Sequence, residues 1–241
     1  MPKQYRNPPV VEALCEIHFR GGQWDTTVPG LFYEKVSDRF PQKSQVEDVQ
    51  FELRVSKEAA EPKALQRVER SQFLRGDGSG MVQISPALLV VNQLRPYTHF
   101  ESWRPIAIEM LDRYRQLVNP QAIERLGVRY INRIVIPQGV VRMEDYFRVY
   151  PQVPEDLGGA HGSFLLRFEL PQSDEAHQML VTFGSAPAEG PDSFACLLDF
   201  FDVVGLAQDA FDVVEKRLDE AHANIARAFE ASITDRAREL F

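Results

Sequence analysis

Across residues 10–20, Val11, Ala13, Cys15, Ile17 and Phe19 alternate with Glu12, Leu14, Glu16, His18 and Arg20. A period of two puts one set on a single face, so this segment predicts a half-buried strand. The preceding Tyr5-Arg6-Asn7-Pro8-Pro9 must be extended, because each proline pushes its predecessor out of the α region. Gly21-Gly22 ends the strand, and Pro29 suits the first turn of a helix that places Phe32, Val36 and Phe40 on one stripe before Pro41 stops it. Val49, Phe51, Leu53 and Val55 alternate again and predict a second strand. A third is expected over residues 65–75, turned back at Gly76-Asp77-Gly78-Ser79-Gly80 into a returning strand over 81–94. Pro86 lies inside that strand and cannot donate to a ladder, so a bulge or bend is expected there. Ser102 is the expected cap of a helix with Pro105 in its first turn and Ile106, Met110, Tyr114 and Leu117 facing inward.

The second half repeats the order. Val128, Tyr130, Asn132, Ile134 and Ile136 share one face of a strand over 126–136. A short helix is expected over 143–150 and a loop rich in proline and glycine over 151–162. Strands over 164–170, 178–183 and 194–203 follow. A last helix then carries Phe211, Val214, Leu218, His222, Ile225 and Phe229 at spacings of three and four, with a final turn near Thr234. Strand, helix, three strands, helix thus occurs twice, with corresponding elements offset by roughly 110 to 116 residues, which suggests an internal duplication. Residue identity between the halves is negligible, and alternating patterns of this kind also look self-similar without one. The expected fold class is α+β, with mostly antiparallel sheets and packed helices. Residues 1–120 and 121–241 form two halves packed into one globular unit.

Composition changes this picture little. Hydrophobic residues make up 44% of the 241 and charged residues 26%, enough for a sizeable core without staples. The net charge of -8, from 27 basic and 35 acidic residues, opposes a phosphate backbone, so nucleic acid and anionic membrane are not the expected partners. No apolar run approaches the roughly 20 residues of a membrane span, and the N-terminal residues hold no apolar signal segment. Cys15 and Cys196 each sit in an apolar stretch and read as small hydrophobes in a reducing, cytoplasmic setting.

Three stretches resemble one family. Tyr5-Arg6-Asn7-Pro8-Pro9-Val10-Val11-Glu12-Ala13 is similar to the opening of a sporadically distributed bacterial family of uncharacterised proteins. Arg125-Leu126-Gly127-Val128-Arg129-Tyr130-Ile131-Asn132-Arg133-Ile134 resembles its centre. Phe229-Glu230, Ile233-Thr234-Asp235 and Leu240-Phe241 resemble its closing segment. The resemblance carries no activity to transfer. A patchy distribution implies genes that move between genomes, as accessory and defence loci do.

Candidate chemistry is sparse. His18, His99, His161, His177 and His222 have no metal-ligand spacing, and no Gly-x-Ser-x-Gly elbow occurs. The glycine-rich 76–80 segment lacks the Lys-Ser/Thr and helix of a phosphate loop and reads as a hairpin turn. Asp199, Asp202, Asp209, Asp212, Glu215 and Asp219 make an acidic region that suits helix starts and outer helix faces as well as cation binding or acid–base work. Asp199 interrupts an apolar strand, where an unpaired charge would cost several kcal/mol. Glu12 and Glu16 share one face of the first strand, Arg129 and Arg133 one face of its counterpart, and the four are expected to pair as a network that fixes the sheet or holds a ligand. Asn132, on the apolar face, must find a backbone partner. Ile233, Leu240 and Phe241 are the expected interface, because a terminal Leu-Phe needs cover; the other reading is that the tail folds back onto the chain's own core. No cofactor, metal or catalytic residue is assigned. The expected function is that of a non-enzymatic binding or assembly protein, homodimeric or bound to a protein partner. The alternative is a small-molecule sensor with its ligand in a groove between the halves.

Overall fold

The computed structural model describes residues 5–50, 53–55, 60–62, 66–158, 162–172, 176–188, 190, 192–206 and 210–241. Phe51 of the second expected strand, His161 and Asp209 lie outside them. The chain runs β1 (Val10–Arg20), α1 (Val28–Val36), β2 (Gln42–Gln50), β3 (Leu53–Val55), β4 (Ala60–Pro62), β5 (Gln66–Leu74), β6 (Gly80–Ser85), β7 (Leu88–Leu94) and α2 (Phe100–Val118). It continues through β8 (Ala122–Ile136), α3 (Met143–Tyr146), β9 (Leu165–Pro171), β10 (His177–Ala186), β11 (Phe194–Gly205), α4 (Val214–Ser232) and α5 (Asp235–Arg238).

Nine strands form one antiparallel sheet in the order β2-β5-β6-β7-β1-β8-β11-β10-β9, and β3 pairs with β4 apart from it. The two expected halves therefore share a continuous sheet, joined where β1 pairs with β8. Read outward from that seam, β1-β7-β6-β5 on one side matches β8-β11-β10-β9 on the other, and β2 is an extra edge strand. The alternation read in β1 and β8 sets which face is buried. Ala13, Cys15, Ile17, Phe19, Val128, Tyr130 and Ile134 point to the core, with Leu198 and Phe200 of β11. Helices cover that face, supplying Phe32 and Val36 from α1, Trp103, Met110 and Tyr114 from α2, and Leu218 and Ile225 from α4. Burying such side chains contributes roughly 1.5–3 kcal/mol each, which is what holds the layers together.

Three local expectations are corrected. Pro86 does not bend one strand; it sits in the tight turn between β6 and β7, two antiparallel strands with Ser85 opposite Leu88. A residue lacking an N–H is easily placed in a turn, and the hairpin buries Val82, Ile84, Leu89 and Val91. The inner stripe of α2 is Trp103, Ala107, Met110, Leu111, Tyr114 and Val118, while Ile106 and Leu117 are half-buried at its edge. Its N-cap is His99, whose carbonyl accepts the Ser102 hydroxyl at 2.7 Å. Of the two readings of the tail, packing on its own chain is the one observed. Ile233 is fully buried and bridges to Phe147, and Leu240 and Phe241 pack on the core. The backbone permits this because α4 ends at an extended Ile233, which turns the chain back toward α3.

Candidate functional site

A cavity of about 270 Å³ opens at the seam between the halves. Tyr5, Pro8, Pro9 and Val10 wall one side: the chain bends at Arg6 and Asn7, and beyond them the Pro9 carbonyl accepts the Arg133 N–H at 2.9 Å. The ladder slips between Val10 and Glu12, a bulge that ends regular pairing at the cavity mouth. The segment entering α2 brings Tyr97 and Phe100, β8 brings Tyr130 and Asn132, and α4 brings His222, Ile225 and Phe229.

These side chains are joined. The Tyr97 and Tyr130 hydroxyls lie 3.1 Å apart, and Tyr130 Oη lies 3.0 Å from His222 Nδ1. The His222 ring stacks on Phe100 at 4.1 Å with a 4° interplanar angle. Burial pushes both phenols above their ordinary pKa, so they stay protonated. Burial also holds His222 below the usual imidazole range, against the opposing charges of Glu101 and Asp219. The Tyr97–Tyr130–His222 hydrogen-bond chain is therefore neutral at pH 7. If Nδ1 is bare, Tyr97 donates to Tyr130 and Tyr130 to His222, leaving Nε2–H as the outer donor; in the other tautomer the direction reverses and the Tyr97 hydroxyl becomes the outer donor. Either way the cavity wall carries a donor at one end and an acceptor at the other. The buried Trp103 indole N–H lies beside both phenols, near enough to oppose the upward push of burial on each though outside regular hydrogen-bond geometry. Tyr5 donates to Glu230, whose other oxygen accepts Arg238 Nε at 2.8 Å.

The low His222 pKa sets a pH dependence. The unfolded chain takes up this proton first, so stability contributed by the neutral ring is present above about pH 6.5 and is lost as pH falls from there toward the folded pKa. Urea midpoints of the wild type are expected to drop between pH 7.5 and 5.5, and His222→Gln to flatten that interval. An equal drop in the variant would place the titrating group elsewhere in the chain.

The expected acid–arginine network is rearranged. β1 and β8 pair with Glu12 opposite Ile131, Leu14 opposite Arg129 and Glu16 opposite Gly127. Arg129 forks onto Asp199 of β11 instead, Nε to Oδ1 at 2.9 Å and Nη2 to Oδ2 at 2.6 Å. Glu16 accepts from Arg125 Nη2 at 2.8 Å and contacts His18. Burial disfavours the Glu16 charge, but the His18 hydrogen bond and the charges of His18, Arg125 and Arg70 hold its carboxyl below the usual range. Glu12 ends a side-chain row that crosses five strands: Ser44 donates to Gln72, Gln72 to Gln83, Gln83 to Asn92, and Asn92 to Glu12 at 2.6 Å. Every amide donates toward the carboxylate, which can only accept. Arg133 Nη2 donates to the Pro187 carbonyl at 2.8 Å. Asn132 finds its backbone partner, donating to the Leu198 carbonyl at 2.9 Å. Gly127 is required by close approach: a Cβ there would stand 2.3 Å from the Phe201 ring.

The structure thus places Asn132 at the cavity, Glu12, Glu16, Arg129, Arg133 and Asp199 on the opposite sheet face, and Ile233 in the core. Tyr97, Phe100, Trp103 and Tyr130 were not singled out by sequence reasoning, although the adjacent His222 was. A second buried cluster, with His177 Nε2 2.9 Å from Asp202 Oδ1 and Asn224 donating to Oδ2 at 3.0 Å, ties β10 and β11 to α4. Burial raises the Cys196 thiol to about 12 and raises Cys15 as well, so neither is a ready nucleophile. No described helix is long and apolar enough to cross a membrane. No family model matches this chain, and a search of curated proteins finds no match.

Proposed function

We propose that this protein binds a small molecule of one or two rings in the cavity at the seam, and that its two halves are copies of one unit whose junction created the site. The observation that carries the reading is the neutral Tyr97–Tyr130–His222 chain lining a cavity of about 270 Å³ with Phe100, Ile225 and Phe229 around it. A cavity of about 150 Å³ suffices for benzene, and drug-sized ligands fill about 300 Å³ or more, so this one suits a ligand between those sizes. Apolar rings supply affinity, and the donor and acceptor ends orient a polar substituent. Protonated phenols and unreactive thiols favour holding over transforming the ligand. The matching strand order on either side of β1/β8 supports the duplication.

Native mass spectrometry of the purified protein, followed by a thermal-shift screen of mono- and bicyclic aromatic compounds, tests the reading. Tyr130→Phe keeps the ring and removes the central hydroxyl, and is expected to weaken binding about tenfold, the effect of one hydrogen bond. Ala226→Trp is expected to fill the cavity and abolish binding while the fold is retained. A bound compound indifferent to both changes would place its site elsewhere, and turnover of that compound would replace binding by catalysis.

A further inference from the structure

β9 is the last strand at one end of the sheet, and its outward edge meets no other strand among the described residues. It reads Leu165-Leu166-Arg167-Phe168-Glu169-Leu170-Pro171, with every residue but Leu166 exposed. Leu165 is 73% exposed, Leu170 45% and Phe168 39%, unusual for an edge that would otherwise be blunted by charge or cover. The opposite edge strand, β2, has only Val46 and Val49 as apolar residues among nine.

Backbone parity limits how a further strand could join. Ser185 N–H donates to the Phe164 carbonyl and Gln172 N–H to the His177 carbonyl, both at 3.0 Å. In an antiparallel ladder this alternation assigns residues 164, 166, 168, 170 and 172 to β10 and turns the N–H and C=O of Leu165, Arg167 and Glu169 outward. An antiparallel copy of β9 can therefore pair only odd residues with odd residues through hydrogen bonds.

One register also satisfies the side chains. With a twofold axis at Phe168, Arg167 faces the partner's Glu169 and Glu169 faces the partner's Arg167, as a hydrogen-bonded pair each way. Leu166 faces the partner's Leu170, and Phe168 faces its own copy across a non-hydrogen-bonded position, where side chains come closest. An axis at Arg167 or at Glu169 keeps the parity but sets like charges opposite each other. An axis between two residues breaks the parity. In this single register the strand is self-complementary in charge and apolar contact, with full hydrogen-bonded pairs at Arg167 and Glu169 and, at Leu165 opposite the partner's Pro171, only the Leu165 N–H to donate.

We propose that β9 is a dimer interface: two copies of this chain join antiparallel about Phe168, and the sheet runs on from one chain into the other. The isologous geometry is that of the commonest oligomers. It is independent of the cavity, which lies at the far end of the second half's strands from this edge.

Sedimentation velocity across a concentration series is expected to show the wild type at twice the 27.5 kDa of the chain. Arg167→Glu and Glu169→Arg each oppose like charges twice across the axis and are expected to weaken the dimer roughly tenfold to hundredfold. The double variant Arg167→Glu/Glu169→Arg restores opposite charges and is expected to recover it. The Arg167 and Glu169 side chains are 57% and 64% exposed, so folding is not at stake. Phe168→Cys is expected to cross-link through the axis when oxidised glutathione is added, since a non-hydrogen-bonded pair has Cα atoms about 4.5 Å apart, within disulfide range. Buried Cys15 and Cys196 do not compete. A wild type that is monomeric throughout, a dimer indifferent to both single reversals, or a double variant that fails to recover overturns the proposal.

Discussion

Arg129→Leu is expected to lower the stability of the fold by about 3 kcal/mol, the low end of what removing one partner of a buried ion pair costs. Asp199 is only 9% exposed as a residue. Both its oxygens are taken by the Arg129 guanidinium. Arg129 stands between Leu14 of β1 and Phe201 of β11, and Asp199 between Ile131 of β8 and Thr182 of β10, so loss of the arginine leaves a carboxylate with no second cation in hydrogen-bond reach among the described residues. The arginine side chain is 42% exposed, and water entering by that route keeps the cost from rising further. Arg129→Leu/Asp199→Leu removes both charges and is expected to recover most of the loss, because the penalty belongs to the stranded charge and not to the missing attraction. Urea denaturation of the three proteins gives the comparison. A single variant with the wild-type midpoint would mean that Asp199 is already solvated and that the pair is dispensable.

This pair shows where sequence reading stops. Asp199 stood out because a charge inside residues 194–201 needs a partner, and Arg129 stood out on its strand. Their union was not legible, since alternation assigns faces but not register. The neighbour relation between β8 and β11, and the alignment of Phe201 with Arg129, come from tertiary packing. Glu12 and Glu16 share the right face but sit opposite Ile131 and Gly127, which leaves Glu12 to Asn92 and Glu16 to Arg125 and His18. The long strands β1, β8 and β11 and the helices α2 and α4 were legible because their periodicity is sustained. β6 and β7 were fused into one strand because their apolar pattern continues through a two-residue turn. At the cavity, His222 was visible as a polar residue on an apolar stripe. Tyr97 was not, because it belongs to no periodic element and acquires its role from a hydroxyl 33 residues away in sequence. Asn132 was visible as a buried polar residue, and its donation to Leu198 is the kind of backbone partner that burial demands.

Ending the chain after Ser232 is expected to destabilise the monomer by on the order of 5 kcal/mol and to leave its state of association unchanged. The tail holds the second half together from several sides. Ile233 is fully buried, and a comparable truncation of a single core isoleucine costs about 2–5 kcal/mol. Thr234 donates its N–H to the Tyr146 carbonyl at 3.0 Å and its hydroxyl to the Asp145 carbonyl at 2.6 Å, and it caps α5 by accepting the Ala237 N–H. Arg238 donates to the Glu230 carboxylate and carbonyl, each at 2.8 Å, on the turn of α4 that borders the cavity. Phe241 meets Tyr5 edge-on at 5.3 Å, so the last residue braces the same N-terminal segment that walls the ligand site. With a melting temperature falling about 2–4 °C per kcal/mol for a chain of this size, the loss is about 10–20 °C. Calorimetry reads it directly, and light scattering on the same samples separates it from assembly. Ile233→Ala and Phe241→Ala extend the measurement if the shortened chain does not fold: the first is expected to lower the melting temperature more, the second to weaken ligand retention more. A shortened chain that melts like the wild type but loses a partner would return the tail to the role of an interface.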